Sequence, residues 1–252
     1  MRFSAVIPVY NGAETICRAI DSVIAQGCNE IEVIVVDDAS IDGTLSLVKE
    51  QYGNKVKLIA LPQNSGSSVA RNVGMAAATG DYIVFLDADD SWVSGKIDAV
   101  SEVLRDRPDI AFLYHGYSLS PMDRPDKELD VTPRKLSYLR LLAGNVISTS
   151  CVVLKNDPVF RFSTDMRYCE DYELWLRVSY RYGAYFLDFP FTRLYRPITS
   201  EGGISSNRIA MRIGEMRAYA RLPRLNPFFL FLVPLLWLGS AAKHVLKLLR
   251  IL

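Results

Sequence analysis

Three acids close one short stretch of this chain: Asp87, Asp89 and Asp90 follow the apolar run Tyr82–Leu86. A buried strand ending in carboxylates delivers them to the lip of a sheet, where open α/β sheets bind their ligands. Carboxylates that close together repel unless something positive sits between them. A hard divalent cation answers that need, because Mg²⁺ takes one or two protein carboxylates and completes its shell with phosphate oxygens and water. The chemistry implied is a metal holding a phosphorylated ligand.

The elements around these acids read as a β-α alternation. Apolar runs at 3–9, 31–36, 56–60 and 82–86 predict strands. Between them, Ile16, Ile20, Val23 and Ile24 mark one helix, with Asn11 and Glu14 as its capping box. Leu45, Val48 and Tyr52 mark a second, capped by Asp42 and closed by Gly53. Residues 67–78 form a third, stopped by Gly80. This alternation predicts an α/β fold with a mostly parallel sheet covered on both faces. Beyond residue 90 the rhythm loosens. Helices are expected over 97–104, 134–143 and 170–182, and strands over 111–118, 146–154 and 185–191. Residues 120–133 form a polar loop at a plausible acceptor edge.

A parallel sheet gathers strand C-termini at one edge. That edge would hold Val6-Ile-Pro-Val-Tyr10-Asn11, the acids Asp37 and Asp38, the turn Asn64-Ser-Gly66 with Ala70-Arg71-Asn72, and Asp87-Ala-Asp89. Each has an ordinary structural use alone, as turn, cap or solvated helix face. Their order and shared edge point to one site. Composition narrows the chemistry further. Lysine plus arginine number 29 against 28 acids, a net charge of +1 that gives no footprint for nucleic acid. The two histidines, His115 and His244, lie far apart, which disfavours a zinc site or a Ser-His-Asp triad. Cys17, Cys28, Cys151 and Cys169 form no CxxC and read as ordinary buried thiols of a reducing compartment. The chain enters its first strand directly, without a signal-peptide pattern.

With Val36-Asp-Asp-Ala-Ser-Ile-Asp-Gly-Thr44 and Cys169-Glu-Asp-Tyr-Glu-Leu-Trp-Leu-Arg177 added, these motifs make residues 2–205 resemble a family 2 glycosyltransferase of the GT-A fold. The resemblance implies an inverting enzyme that moves a sugar from a nucleotide-diphosphate sugar, most often a UDP-sugar, to a hydroxyl of a glycan or lipid-linked glycan. It implies that Asp38 hydrogen-bonds the base, that Pro8 and Tyr10 line the base pocket, and that Arg71 lies near base and phosphates. Asp87 resembles the acid touching ribose or sugar. Asp89 resembles the ligand of a divalent metal, Mg²⁺ or Mn²⁺. Asp171 resembles the catalytic base, although acids at a helix start also favour the helix dipole. Asn64, Gly66, Glu170 and Arg196 are further candidate contacts to donor or acceptor.

One departure stands out. Many relatives carry a histidine after a Tyr-Arg pair late in the catalytic domain, whereas here Tyr195-Arg196 runs into Pro197-Ile198-Thr199. The metal would then rest on Asp89, phosphate oxygens and water, or Arg196 would meet the diphosphate itself. The loop 200–206, with Gly202 and Gly203, is a candidate lid. The expected organisation is a catalytic domain over 1–206, with a nucleotide half at 1–90 and an acceptor half at 91–206, then a basic and apolar helical tail at 207–252. The apolar stretch 227–242 covers about 24 Å as a helix, short of a roughly 30 Å hydrocarbon core. Arginines precede it and Lys243, Lys247 and Arg250 follow, so residues 225–252 are expected to lie in or on the membrane surface rather than span it. That places the enzyme on the cytoplasmic face of the cell membrane, in cell-surface polysaccharide assembly. Two other readings are a non-catalytic nucleotide-sugar binder and a phosphohydrolase using Asp87 as nucleophile. The second usually carries its acids on the first strand, and here three strands precede them.

Overall fold

A computed structural model of the chain describes residues 1–28, 30–121, 131–197 and 206–248, with side chains up to Lys243. Strand β1 (Phe3–Val9) lies inside the sheet. It pairs in parallel with β2 (Ile31–Asp37) on one side and with β4 (Tyr82–Phe85) on the other, while β3 (Lys57–Ala60) extends the β2 edge. The register sets Val9 beside Asp37, so the polar residues that follow β1 and β2 emerge together. Between these strands run α1 (Ile16–Ile24), α2 (Thr44–Tyr52) and α3 (Ser67–Ala77). The chain winds outward from β1 to β3 and then restarts at β4 on the other side of β1. That reversal opens a crevice at the strand ends, where α/β sheets bind ligands.

Past β4 the parallel expectation fails. β5 (Ser91–Trp92), α4 (Lys96–Asp106), β6 (Phe112–Ser118), β7 (Arg134–Lys135), α5 (Tyr138–Leu142), β8 (Val152–Lys155), α6 (Glu170–Tyr182) and β9 (Tyr185–Arg193) complete the domain. The sheet order is β3-β2-β1-β4-β8-β6-β9-β5, with β7 on β9. Strand β8 is antiparallel to both β4 and β6, and β5 and β7 are antiparallel to β9; among the described strands after β4, β6 and β9 alone pair in parallel. The sheet is therefore mixed, because a strand's direction depends on the distant neighbour it meets and not on the helix before it.

Three local expectations also change. The helix expected over 134–143 begins as β7, since Leu136 N–H donates to the Ala184 carbonyl and draws that stretch onto β9. The strand expected over 146–154 opens instead as a 3₁₀ turn at Thr149–Cys151. Asn11 and Glu14 form no capping box: Thr15 starts α1 without a side-chain cap. Asn11 Oδ1 accepts the Ile41 N–H, and Asn11 N–H donates to Ser40 Oγ, so Asn11 ties the loop after β1 to the loop after β2. The N-cap of α2 is Gly43, without a side-chain bond, whereas Asp42 stands one residue earlier and accepts the Thr44 N–H at 3.0 Å and the Ala13 N–H.

The sheet buries both faces. Ile7, Val35 and Val84 pack with Ile16 and Ile20 of α1 and Val100 of α4. On the other face Val6, Phe85 and Phe112 pack with Trp175 and Leu176 of α6. Helix α3 lies so close that a Cβ on Gly74 would stand 2.5 Å from Val6 Cγ1. All four cysteines are free, but only Cys151 and Cys169 are buried; Cys17 and Cys28 are half-buried. The tail folds as α7 (Arg208–Ala220) and α8 (Phe229–Leu248), the latter running through Pro234. Phe229, Leu232 and Leu236 of α8 join the α6 core. Among the described residues no helix is long and apolar enough to cross a membrane. The candidate lid at 200–206 and the loop at 120–133 fall largely outside the described residues.

Candidate active site

Among the described residues, three other than glycine take a left-handed backbone: Asn11 (φ 51°), Ala39 (φ 61°) and Cys169 (φ 58°). Each conformation costs about 1–2 kcal/mol for an L-residue. They fall two residues after β1, two residues after β2 and just before α6, at the places predicted to carry the site. Such strain gathers where a fold must aim side chains. Cys169 is the N-cap of α6, so its turn sets where Glu170 and Asp171 point. It is held there by burial and by its thiol donating to the Met211 carbonyl.

Asp38 is buried, and its two oxygens accept the Ser65 and Gly66 N–H groups at 2.7 and 2.8 Å. It thus hangs the Asn64–Gly66 turn from the end of β2. Gly66, at φ 90°, is the N-cap of α3. One turn into α3, Arg71 lies buried with its Nη2 2.8 Å from Asp87 Oδ1 and its Nη1 3.5 Å from Glu170 Oε1. Ser67 Oγ donates to the same Glu170 oxygen at 3.1 Å. Burial opposes the Arg71 charge, but Asp87 and Glu170 outweigh it and hold the guanidinium above its usual range. Residues far apart in sequence, on α3, after β4 and on α6, thus meet around one cation.

The acidic turn after β4 has its own support. Ser150 Oγ accepts the Asp87 N–H at 3.0 Å and donates to Asp90 at 2.7 Å. The Ser150 carbonyl accepts from Thr192 Oγ1 and, at 3.4 Å, from the buried Lys96 Nζ. Arg18 of α1 donates to the Asp89 carbonyl at 2.7 Å and stacks on Tyr195. Burial, then Asp87, raises the Asp89 carboxyl above its usual range, against the pull of Arg196 and Arg18. The same two causes push Asp90 to about 8. Burial brings Lys96 down to about 7. Carboxylates that resist ionising together suit a cation, and Asp89 with its neighbours fits the part of a cation site that diphosphate oxygens would complete. Among the described residues, no group of three or more His, Cys, Asp or Glu is placed to hold a metal ion alone.

Asp171 is held at both oxygens. Tyr172 N–H donates to Oδ1 at 2.7 Å and Asn145 Nδ2 to Oδ2 at 3.1 Å. Burial, then the charge of Glu170, pushes its carboxyl up to about 6, against Tyr172 N–H, Arg71 and Asn145. Tyr10 stands half exposed at the rim, and Pro8 is half-buried below it. No hydrogen bond or ion pair joins Tyr10, Asn64 or Arg196 to Arg71, Asp87 or Glu170. Two cavities, of about 240 and 400 Å³, lie elsewhere, beside Tyr168 and Gly214 and beside Tyr138 and Ser179. Sequence reasoning missed Ser67, Arg18, Asn145 and Ser150. Ser67 adjoins the Asn64–Gly66 motif and was within reach, but nothing in the spacing marks the other three.

The model for "Glycosyl transferase family 2" matches residues 4–152. The chain is 34% identical over 176 residues to the Escherichia coli UDP-Glc:alpha-D-GlcNAc-diphosphoundecaprenol beta-1,3-glucosyltransferase WfgD, covering 69% of this chain and 68% of that one. It is 29% identical over 228 residues to the putative teichuronic acid biosynthesis glycosyltransferase TuaG of Bacillus subtilis, covering 88% and 89%. The crystal structure of S. aureus TarS 1-349 in complex with UDP-GlcNAc superposes with a TM-score of 0.67 at 22% identity, over 87% of this chain and 66% of that one. At that identity the likeness speaks for the fold alone. The chain belongs to glycosyl transferase family 2 and is a glycosyltransferase.

Proposed function

We propose that the chain transfers a sugar, with inversion, from a nucleotide-diphosphate sugar to a hydroxyl of a lipid-linked glycan, in the assembly of a cell-surface polysaccharide. The observation that carries this reading is the meeting of Arg71, Asp87 and Glu170, which puts Asp171 one residue from the donor-side acids. In this reading residues 1–90 hold the donor, with Asp38, Pro8 and Tyr10 around the base, ideally uracil as in the donor named for WfgD. Arg71 and Asp87 lie toward ribose and phosphates, with Asn64, Gly66, Glu170 and Arg196 beside them. Residues 91–206 form the acceptor side.

Asp171 takes the proton from the acceptor hydroxyl. The acceptor oxygen then bonds to the anomeric carbon from the face opposite the diphosphate, and the bond from that carbon to the diphosphate oxygen breaks. A carboxyl near 6 is ionised at neutral pH yet basic enough to serve, which is the range a general base needs. Mg²⁺ or Mn²⁺ at Asp89 would supply charge stabilisation to the leaving diphosphate. Arg18 and Arg196 bring positive charge to the same turn, which bears on the missing histidine.

Residues 225–252 would dock the enzyme on the cytoplasmic face of the cell membrane. Phe228, just before α8, and Phe231, Leu235 and Leu238 within it are all more than 60% exposed and recur at helical spacing, with exposed Arg217 and Arg224 nearby in the chain. An uncovered apolar stripe beside basic residues suits anionic lipid.

The test is an Asp171→Asn variant assayed with UDP-sugars and diphosphoundecaprenol-linked acceptors. Donor binding is expected to persist while transfer falls about 10²–10⁴-fold. Transfer at near wild-type rate would remove Asp171 from the mechanism.

A further inference from the structure

We propose that Asn145 is a positioning residue for Asp171: it orients the carboxylate on the acceptor side and keeps it ionised. The inference rests on the reading of Asp171 as the base. Asn145 lies in the connection between α5 and β8 and is exposed. Its two amide ends have separate tasks. Oδ1 accepts the Ile147 N–H at 3.0 Å, which assigns the oxygen and leaves Nδ2 as the donor to Asp171 Oδ2. With Tyr172 N–H on Oδ1, the carboxylate is gripped at both ends and cannot rotate without losing a bond. Each oxygen keeps a lone pair for an incoming hydroxyl.

The connection that carries Asn145 is itself anchored from the far side. Tyr172 Oη donates to the Leu141 carbonyl at 2.6 Å. Tyr219 Oη of α7 lies 2.9 Å from both the Leu142 carbonyl and Glu215 Oε1, and its single proton serves one of them. Lys243 of α8 donates to the Ala143 carbonyl and lies 4.0 Å from Glu215. Carbonyls at 141 and 143 are thus engaged by α6 and α8, and Tyr219 of α7 lies within hydrogen-bond reach of the one at 142, two residues short of Asn145. This arrangement gives the C-terminal helices a part in the active site that their distance from the donor acids conceals.

The charged and titratable groups facing Asp171 are Glu170 and Cys169 at the start of α6 and Arg71 from α3. Asn145, like the Tyr172 N–H, is a neutral donor to this carboxylate, and removing a donor to an ionised carboxylate favours its protonated form.

The experiment is a carboxyl ¹³C NMR titration of the full chain without substrate, with Asp171 assigned by its absence in Asp171→Asn. Asn145→Ala is expected to raise the Asp171 midpoint by about one pH unit, a tenfold loss of ionised base below the midpoint. Asn145→Asp keeps the acceptor for Ile147 N–H but replaces the donor with a second carboxylate, so the pair should titrate with an apparent midpoint higher still. The acid limb of the transfer rate should move in the same order. Midpoints within about 0.3 units of wild type in both variants, with cooperative melting retained, would overturn the proposal. So would a raised midpoint in Asn145→Ala that Asn145→Asp restores, since that would assign the effect to the Ile147 bond. Failure of the base assignment itself would show separately, as transfer surviving in Asp171→Asn.

Discussion

Replacing Arg71 by methionine tests whether one buried cation joins the two halves of the site. The side chain keeps its apolar bulk against Phe162, whose ring centre lies 5.4 Å from the guanidinium. What it loses is the charge facing Asp87 and Glu170. The side chains of Arg71 and Glu170 are 9% and 10% exposed, and that of Asp87 is 34% exposed. Removing one member of a buried ion pair costs about 3–5 kcal/mol, because the partner is left charged and dry. Water reaching Asp87 relieves part of this, so a loss of about 2–4 kcal/mol is expected. At about 2–4 °C per kcal/mol for a chain of this size, the melting midpoint should fall by about 4–16 °C. The assay is circular-dichroism melting with matching urea titrations at pH 7. Raising salt to about 1 M should change the deficit little, since buried pairs are weakly screened. Adding Glu170→Gln should recover part of the loss in the Arg71→Met background, because a neutral amide needs no cation and still accepts from Ser67. A fall under about 2 °C, or no recovery in the double variant, would refute the argument that Arg71 is what reconciles these acids.

The acidic turn predicts a pH-dependent response to metal. Asp90 is pushed up to about 8 and Asp89 is raised, so without metal both hold protons at pH values where free aspartate has lost them. Their folded-state affinity for protons contributes stability that is present at low pH and fades as pH rises toward 8. Mn²⁺ should therefore raise the melting midpoint more at pH 8 than at pH 5, because at pH 5 it must displace protons. An equal response at both would argue against a cation at Asp89. The outward stripe of α8 predicts that the full chain floats with phosphatidylglycerol vesicles and much less with phosphatidylcholine, and that Phe228→Ser with Phe231→Ser abolishes flotation without lowering the melting midpoint, since both rings are 80% exposed. Flotation that survives this double change would move the membrane contact elsewhere.

The sequence by itself determined the N-terminal half of the sheet. Apolar runs separated by helical stripes have few ways to fold, and parallel strands put their ends at one edge, so Asp38, Asn64–Gly66, Arg71 and Asp87–Asp89 could be placed there from spacing alone. The motif opening at Cys169 was legible too, as a helix start carrying two acids. Tertiary structure decided the rest. The direction of β8 between β4 and β6, the pairing of Arg134 and Lys135 with β9, and the 3₁₀ turn that presents Ser150 all depend on long-range partners that no local period records. Ser150 reaches Asp87, 63 positions away, and Asn145 reaches Asp171, 26 positions away, through side-chain hydrogen bonds. Periodicity is a one-dimensional signal of which face is buried. Which polar groups meet at the end of that face is settled by packing, and there a buried acid's neighbours set its charge.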